Sequence, residues 1–371
     1  MRRRVVLLRG THANLWDLRP WEGLGEEYDV EVLVPPNNLF DTGKLELRRT
    51  PARTVGGLLP GGRLGALATR AIGERYLGLE AHLRGASIVH AAELGYWYSW
   101  QAARLRRRLG FQLALTVWET LPFVDAYRNI RTRRYRREVL AATDLFLPTT
   151  ERAKRALILE GAPPDRMHVL PPGIDVGRFA VSRTSVPPDD GSHLVLSIGR
   201  LVWEKGHQDV LRAVAALGRE DVHVLIVGEG PEESRLRGVA KDLGLAARVE
   251  LRGHVPYDEL PRIHARASCL VLASLPTRYW EEQFGMVLPE AMAAHLPILA
   301  ASSGAIPEVL GDSGTLFEPG DWVGLARCLA DGPLDGPPGA RRPPGADTLE
   351  RFSRDAATER LRAVYRSLPP S

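Results

Sequence analysis

The sequence predicts two successive α/β domains, each a parallel sheet covered by helices, and three observations predict it. At 371 residues the chain is longer than one hydrophobic core usually serves, so two domains are the expectation. Short β-branched or Leu-rich runs alternate with helical stretches, as βαβ units require, and the pattern occurs twice. Between the two sets, Ser182 to Ser192 reads SRTSVPPDDGS, a polar stretch with Pro and no periodicity that suits a linker. The domains are placed at 1–182 and 183–349, with a further helical segment beyond.

In the first half, strands are expected at Arg4 to Leu8, Asp29 to Val34, Ser87 to His90, Gln112 to Val117, Leu145 to Leu147 and His168 to Leu170. The opening run follows Arg2 to Arg4 and is stopped by Arg9, so it reads as a buried strand and not as the apolar core of a signal peptide. Pro35 to Gly65 is rich in Gly and Pro and reads as a mobile loop over a site, in preference to an irregular surface insertion. In the second half, strands are expected at Leu194 to Ile198, His223 to Val227, Val249 to Arg252, Cys269 to Ala273, Ile298 to Ala301 and Gly314 to Phe317. Val210, Val214 and Leu217 recur at helical spacing after the Gly206 turn and face an apolar stripe toward a sheet. Asp331 to Leu349 holds nine Gly or Pro in 19 residues, a strap after which Thr348 to Leu368 regains helical spacing.

Composition narrows the function classes. With 44% apolar and 25% charged residues the chain has what a packed core needs, which excludes wholesale disorder. Cys269 and Cys328 are too few for a disulfide framework or a Cys-rich zinc site and suit a reducing compartment. No apolar run approaches the ~20 residues that span a bilayer, so a cytoplasmic location is expected. Residues 1–180 carry 28 Lys and Arg against 19 Asp and Glu, the remainder 21 against 26, so the basic half is the one suited to anionic partners. Arg128, Arg131, Arg133, Arg134, Arg136 and Arg137 form the densest cationic run, either a solvated helix face or a dock for a phosphorylated acceptor or for anionic phospholipid on the inner face of a membrane. Nothing resembles a nucleic-acid reading motif, and nucleic acid is not an expected partner.

Chemistry is concentrated at a few turns. In Trp280 to Ala294, WEEQFGMVLPEAMAA, Pro289 fits the first turn of a helix that should begin near Val287 or Leu288, leaving Phe284 and Gly285 just before it. A helix start offers free amides and partial positive charge to a phosphate or polar sugar, while Glu282 and Glu290 flank it as acceptors for hydroxyls. In SIGRLVWEKG a strand ends at Gly199 and delivers Arg200 and Lys205 to its carboxyl end, where ligands of open α/β sheets bind and two cations can neutralise a departing diphosphate. Gly228 and Gly230 in VGEGP allow close backbone approach or make a structural tight turn. The spacing lacks the full dinucleotide fingerprint, as does Arg9-Gly10-Thr11-His12 after the first strand.

SIGRLVWEKG, VGEGP, ELRGHVP, the Glu282-x7-Glu290 motif and SSGAIPEVLGDSGTLFEPGD, in that order, resemble the family 4 retaining glycosyltransferases. The likeness is specific over 194–330 and looser over 1–180, where PPGIDVGRF resembles the stretch leading into the second domain. It implies the GT-B fold, two Rossmann-like domains with a cleft between them, and transfer of a hexosyl group from a nucleoside diphosphate sugar to a hydroxyl acceptor. By position, Arg200 and Lys205 would contact the diphosphate, Glu290 the ribose, and Glu282 with the Phe284 and Gly285 backbone the sugar. Gly10, Gly228, Gly230 and Val255 would complete the donor site. The catalytic set implied is Arg200, Lys205 and Glu282. The resemblance also implies that the last helix, about 350–368, packs back on the first domain.

No Asp-x-Asp occurs, so no metal and no resident cofactor are expected, the nucleotide sugar being a substrate. Where many relatives have a His-Asp pair after the fourth strand, this chain has Trp118-Glu119; with His90 these are the acceptor candidates. Trp118 reads either as core or as an apolar wall for a sugar ring. The same choice applies to the aromatics of GYWYSW, Gly95 to Trp100. A catalytically silent sugar-nucleotide-binding subunit is the alternative that the Trp118-Glu119 departure leaves open. His295 stands where relatives usually place Gly after the helix, at a position of local strain.

Overall fold

The computed structural model describes residues 2–59, 73–124, 130–184, 186, 188 and 190–369. The chain divides into one unit made of Met1–Gly173 with Ser353–Ser371, and a second made of Ile174–Phe352. Each is a six-stranded parallel sheet. In the first unit the strands are β1 (Arg3–Leu8), β2 (Tyr28–Val34), β3 (Arg48–Pro51), β4 (Ile88–Ala92), β5 (Gln112–Val117) and β6 (Leu145–Pro148), in the order β3-β2-β1-β4-β5-β6. In the second they are β7 (His193–Ile198), β8 (Val222–Val227), β9 (Val249–Arg252), β10 (Cys269–Leu272), β11 (Ile298–Ala301) and β12 (Thr315–Phe317), in the order β12-β11-β10-β7-β8-β9. Both are the same doubly wound order, with the strand order reversing between β1 and β4 and again between β7 and β10.

The central strands are buried on both faces, which is why they read as continuous apolar runs and not as alternating ones: Val5 to Leu8 and Leu270 to Leu272 are buried throughout. Helices supply the covering layers. The expected stripe of Val210 and Val214 lies in the helix His207–Leu217 and joins Val195, Val224 and Leu299 in one core.

Two strand expectations are corrected. β3 falls in the segment expected as loop, because RRTP is short, opens with two arginines and is mostly exposed, with no alternation to reveal an edge strand. His168 to Leu170 is not a strand, although His168 and Leu170 donate to the Phe146 and Pro148 carbonyls beside β6. Pro171 and Pro172, which cannot donate, follow at once.

The helical segment from Thr348 onward is two helices, Ala346–Arg351 and Arg354–Ser367, parted where Ser353 caps the second by accepting from the Ala356 amide. Phe352, fully buried, packs edge-on against Phe284 of the second unit at 5.7 Å. Arg354–Ser367 contributes Leu361, Val364 and Tyr365 to the core under β1 and β2. The second unit begins at Ile174 and not at 183, because the 3₁₀ turn Val176–Arg183 packs on the helix Leu260–Arg266, where Ser182 Oγ donates to the Pro261 carbonyl at 2.6 Å. Among the described residues no helix is long and apolar enough to cross a membrane.

The deepest polar group of the first unit is a chain of four side chains. Trp21 Nε1 donates to the Tyr365 hydroxyl at 2.9 Å, that hydroxyl lies 2.6 Å from His90 Nδ1, and His90 Nε2 lies 2.7 Å from Thr116 Oγ1. Burial holds His90 well below its ordinary titration range, so the ring is neutral: Nδ1 accepts from Tyr365 and Nε2 donates to Thr116. Tyr365→Phe should leave Trp21 Nε1 and His90 Nδ1 unpaired and cost about 1–3 kcal/mol in urea unfolding. An unchanged midpoint and slope would count against the chain as drawn.

Candidate functional site

The second unit gathers its candidate residues on the loops that leave the carboxyl ends of β7, β8, β10 and β11. The loop after β7 carries Gly199, Arg200 and Lys205. Beneath it, His207 is buried and its pKa pushed down to about 4, chiefly by burial, so it is neutral. Its Nε2 donates to the Arg200 carbonyl at 3.2 Å, which leaves Nδ1 to accept from Ser197 Oγ at 2.9 Å. The Arg200 guanidinium is exposed. Gly228 sits against this loop with φ of 148°, where a β-carbon would lie 1.9 Å from the Gly199 carbonyl oxygen; at Gly230 it would lie 2.3 Å from that of Leu201. The VGEGP turn thus presses on the Arg200 loop, which is the structural of its two readings. Val255, in the turn beyond β9, is buried.

The loop after β10 supplies the partner. Lys205 Nζ donates to Glu282 Oε2 at 2.6 Å, and Ser274 Oγ donates to the same oxygen at 2.6 Å. The ammonium also lies 5.2 Å over the Trp280 ring. Glu282 and Lys205 are largely buried, their side chains 8% and 14% exposed. The Glu282 carbonyl accepts from Ala305, which ties in the loop after β11. Ion pair and hydroxyl therefore straddle the β7/β10 reversal, the place where open α/β sheets bind ligands.

The helix over Glu290 runs Val287–Ala293, with Phe284 and Gly285 in the turn before it as expected. Phe284 turns its ring inward against Phe352. Glu290 is buried, and that burial pushes its carboxyl up to about 7 against the opposing pull of a hydrogen bond from Tyr257 and the Arg178 charge. Arg178 lies 5.0 Å over the Tyr257 ring and pairs with Asp258. His295 has φ of 56°, the left-handed backbone expected of a position where glycine is usual.

In the first unit the structure separates the acceptor candidates. Trp118 and Glu119 are half-buried at the carboxyl end of β5. His90 is fully buried with both ring nitrogens engaged within the core, so it reaches no acceptor; its place in the middle of β4, two residues short of the strand's carboxyl end, makes it a packing residue. Gly10 has φ of 56°, and a β-carbon there would lie 2.8 Å from the Tyr98 ring. Tyr98 of GYWYSW is therefore core, Trp97 and Trp100 cluster with Tyr135, and Tyr96 stays exposed beside His12.

Of the cationic run, Arg128 and the Arg131 side chain lie outside the described residues. Arg133, Arg134 and Arg137 are exposed but Arg136 is buried against Glu160, so the run is not one solvated face. Ser274, Trp280, Tyr257, Arg178 and His207 were not foreseen. Trp280 adjoins the acidic motif and Arg178 lies within PPGIDVGRF, so both could have been read from there; Tyr257 carries no local signal. Among the described residues no group of three or more His, Cys, Asp or Glu is placed to hold a metal.

Since the folded-state value of Glu290 lies above an ordinary 4.5, the fold favours its neutral form. The associated stability is complete below pH ~4.5 and is lost as pH rises to about 7. Glu290→Gln should abolish this loss, at most ~3 kcal/mol, in urea unfolding followed from pH 4.5 to 8. Parallel pH profiles for wild type and variant would contradict it.

Comparison with known proteins agrees with this architecture. Residues 180–332 match the family model described as glycosyl transferases group 1, and 19–173 match a glycosyl transferase 4-like domain. A D-inositol 3-phosphate glycosyltransferase of Corynebacterium jeikeium is 29% identical over 309 residues, 74% of this chain and 72% of that one. One from Catenulispora acidiphila is 32% identical over 254 residues, and a 2-deoxystreptamine glucosyltransferase of Streptomyces kanamyceticus 28% over 229. The last two matches cover 62% and 58% of this chain and 58% of each relative's length. Among solved structures, Anabaena HepE in complex with UDP and glucose superposes with a TM-score of 0.76 at 18% identity, covering 99% of this chain and 100% of that one. Sucrose-phosphate synthase of Thermosynechococcus elongatus gives 0.73 at 20% identity, covering 98% of each chain. With a family model matching each half and the doubly wound order repeated in each, the chain belongs to the group 1 glycosyltransferases, enzymes of the GT-B fold.

Proposed function

We propose that the chain transfers a hexosyl group from a nucleoside diphosphate sugar to a hydroxyl of a ring polyol, with retained anomeric configuration and without a metal. The observation that carries this reading is the buried Lys205–Glu282 contact at the β7/β10 reversal, which sets a cation for phosphate beside an acceptor for sugar hydroxyls. Lys205 has three N–H donors and spends one on Glu282, so the others serve a diphosphate; Arg200, exposed on the same loop, adds the second charge. Glu290 takes the ribose hydroxyls, and Gly228 and Gly230 hold the Arg200 loop in place.

Support for the substrates comes from the relatives. HepE is solved with UDP and glucose, and the curated relatives are named for D-inositol 3-phosphate and 2-deoxystreptamine, both hydroxylated six-membered rings. In the proposed step the bond from the anomeric carbon to the diphosphate oxygen breaks as the acceptor oxygen attacks from the same face. The departing phosphate oxygen takes the acceptor's proton, and Arg200 and Lys205 stabilise the charge that develops there.

A thermal-shift panel of UDP-, GDP-, ADP- and dTDP-sugars should show one base stabilising the chain by ~2.7 kcal/mol at a hundred times its dissociation constant. With that donor, transfer to D-inositol 3-phosphate or 2-deoxystreptamine should proceed unchanged in EDTA. Arg200→Ala should lower kcat about 100- to 1000-fold, equivalent to ~2.7–4 kcal/mol of barrier. Binding without transfer to any hydroxyl acceptor would make the chain a sugar-nucleotide-binding subunit instead. Loss of activity in EDTA would end the metal-free step.

A further inference from the structure

We infer that Glu93 and Glu160 are positioning residues that fix the loop Trp118–Phe123 from its two ends and so set the acceptor-binding surface of the first unit, an inference that rests on the transferase reading above. Three non-glycine residues among those described hold a left-handed backbone, and two of them meet at this loop: Glu93 and Phe123, each with φ of 61°. Such a conformation persists where the surroundings over-determine it, and it clusters at ligand sites.

The surroundings here are two carboxylates on two backbone amides. Glu93 follows β4 directly; its amide donates to the Thr116 carbonyl at 2.9 Å, and its Oε1 accepts from the Trp118 amide at 2.7 Å. The residue leaving β4 thus anchors the residue leaving β5, one strand from the β1/β4 reversal of the first sheet. At the other end, Glu160 Oε1 accepts from the Phe123 amide at 2.9 Å. That carboxylate cannot swing, because Arg136 grips both of its oxygens, Nε to Oε2 at 2.8 Å and the terminal nitrogen to Oε1. The Arg136 and Glu160 side chains are 5% and 3% exposed.

Between the two anchors Glu119 Oε1 accepts from the Leu121 amide at 2.9 Å, curling the loop on itself. The half-buried Trp118 ring and Glu119 carboxylate are held in this curl. An indole face packs on the C–H face of a saturated ring, and a carboxylate accepts from its hydroxyls, so the loop suits a ring polyol. Glu93 and Glu160 reach the loop at the backbone amides of Trp118 and Phe123.

The test compares Glu93→Ala with Glu93→Gln, whose amide oxygen still accepts from the Trp118 amide, using the donor found in the panel with D-inositol 3-phosphate and 2-deoxystreptamine as acceptors. Glu93→Ala should raise the acceptor KM about ten-fold or more while the donor KM and acceptor-free hydrolysis of the donor stay at wild-type values. Glu93→Gln should restore the acceptor KM to within about three-fold. Amide hydrogen exchange should quicken at Trp118 in Glu93→Ala and not in Glu93→Gln. An unaltered acceptor KM, an equal loss in donor and acceptor parameters, or unaltered exchange at Trp118 overturns the inference. A wild-type chain that binds the donor but transfers to no acceptor overturns the parent reading, and the exchange result then still decides whether Glu93 holds the loop.

Discussion

One ammonium–carboxylate contact, Lys205 to Glu282, organises the second unit's loops. It joins the segment after β7 to the segment after β10, Ser274 holds the carboxylate from below, and the Glu282 carbonyl carries the tie on to Ala305. A buried pair of this kind adds little net stability, because desolvation offsets most of the attraction. Removing one partner is another matter and costs about 3–5 kcal/mol, since the remaining charge is stranded. The contact is therefore a constraint on geometry more than a reserve of stability. It keeps a cation at the reversal of strand order that a mobile lysine on a long loop would not hold.

The same construction recurs in the first unit with different chemistry. There the residues leaving β4 and β5 are joined by the Glu93 carboxylate on the Trp118 amide, and Gly10 after β1 is held against the Tyr98 ring. In both units neutral, buried imidazoles lie under the carboxyl edge: His207 beneath the Arg200 loop, and His90 between Tyr365 and Thr116. Each is kept uncharged by burial, which lets one nitrogen accept and the other donate.

Strands buried on both faces were legible because they are unbroken apolar runs, and the helix start at Val287 because Pro289 marks a first turn. β3 was not legible: four residues on an edge, two of them arginines and three exposed, leave no pattern to find. The site divides along the same line. The charged candidates Arg200, Lys205, Glu282 and Glu290 stand within motifs that the sequence displays, on the loops after β7 and β10 and the helix Val287–Ala293. The groups that orient them are distant in sequence, as Tyr257 and Arg178 are from Glu290, and only folding brings them together. His90 shows the opposite failure, a strand residue whose chemistry suggested contact with an acceptor and whose burial gives it a partner on every side.

The first unit is interrupted: Gly173 and Ser353 bound an insertion of the whole second unit, and the last helix completes the core around β1 and β2. During synthesis from the amino end, residues 174–352 are therefore all available before the first unit has Tyr365 to fill the space beside Trp21 and His90. The core of the earlier-made half is therefore completed late in translation, when Arg354–Ser367 brings Leu361, Val364 and Tyr365 to the apolar side chains of β1 and β2.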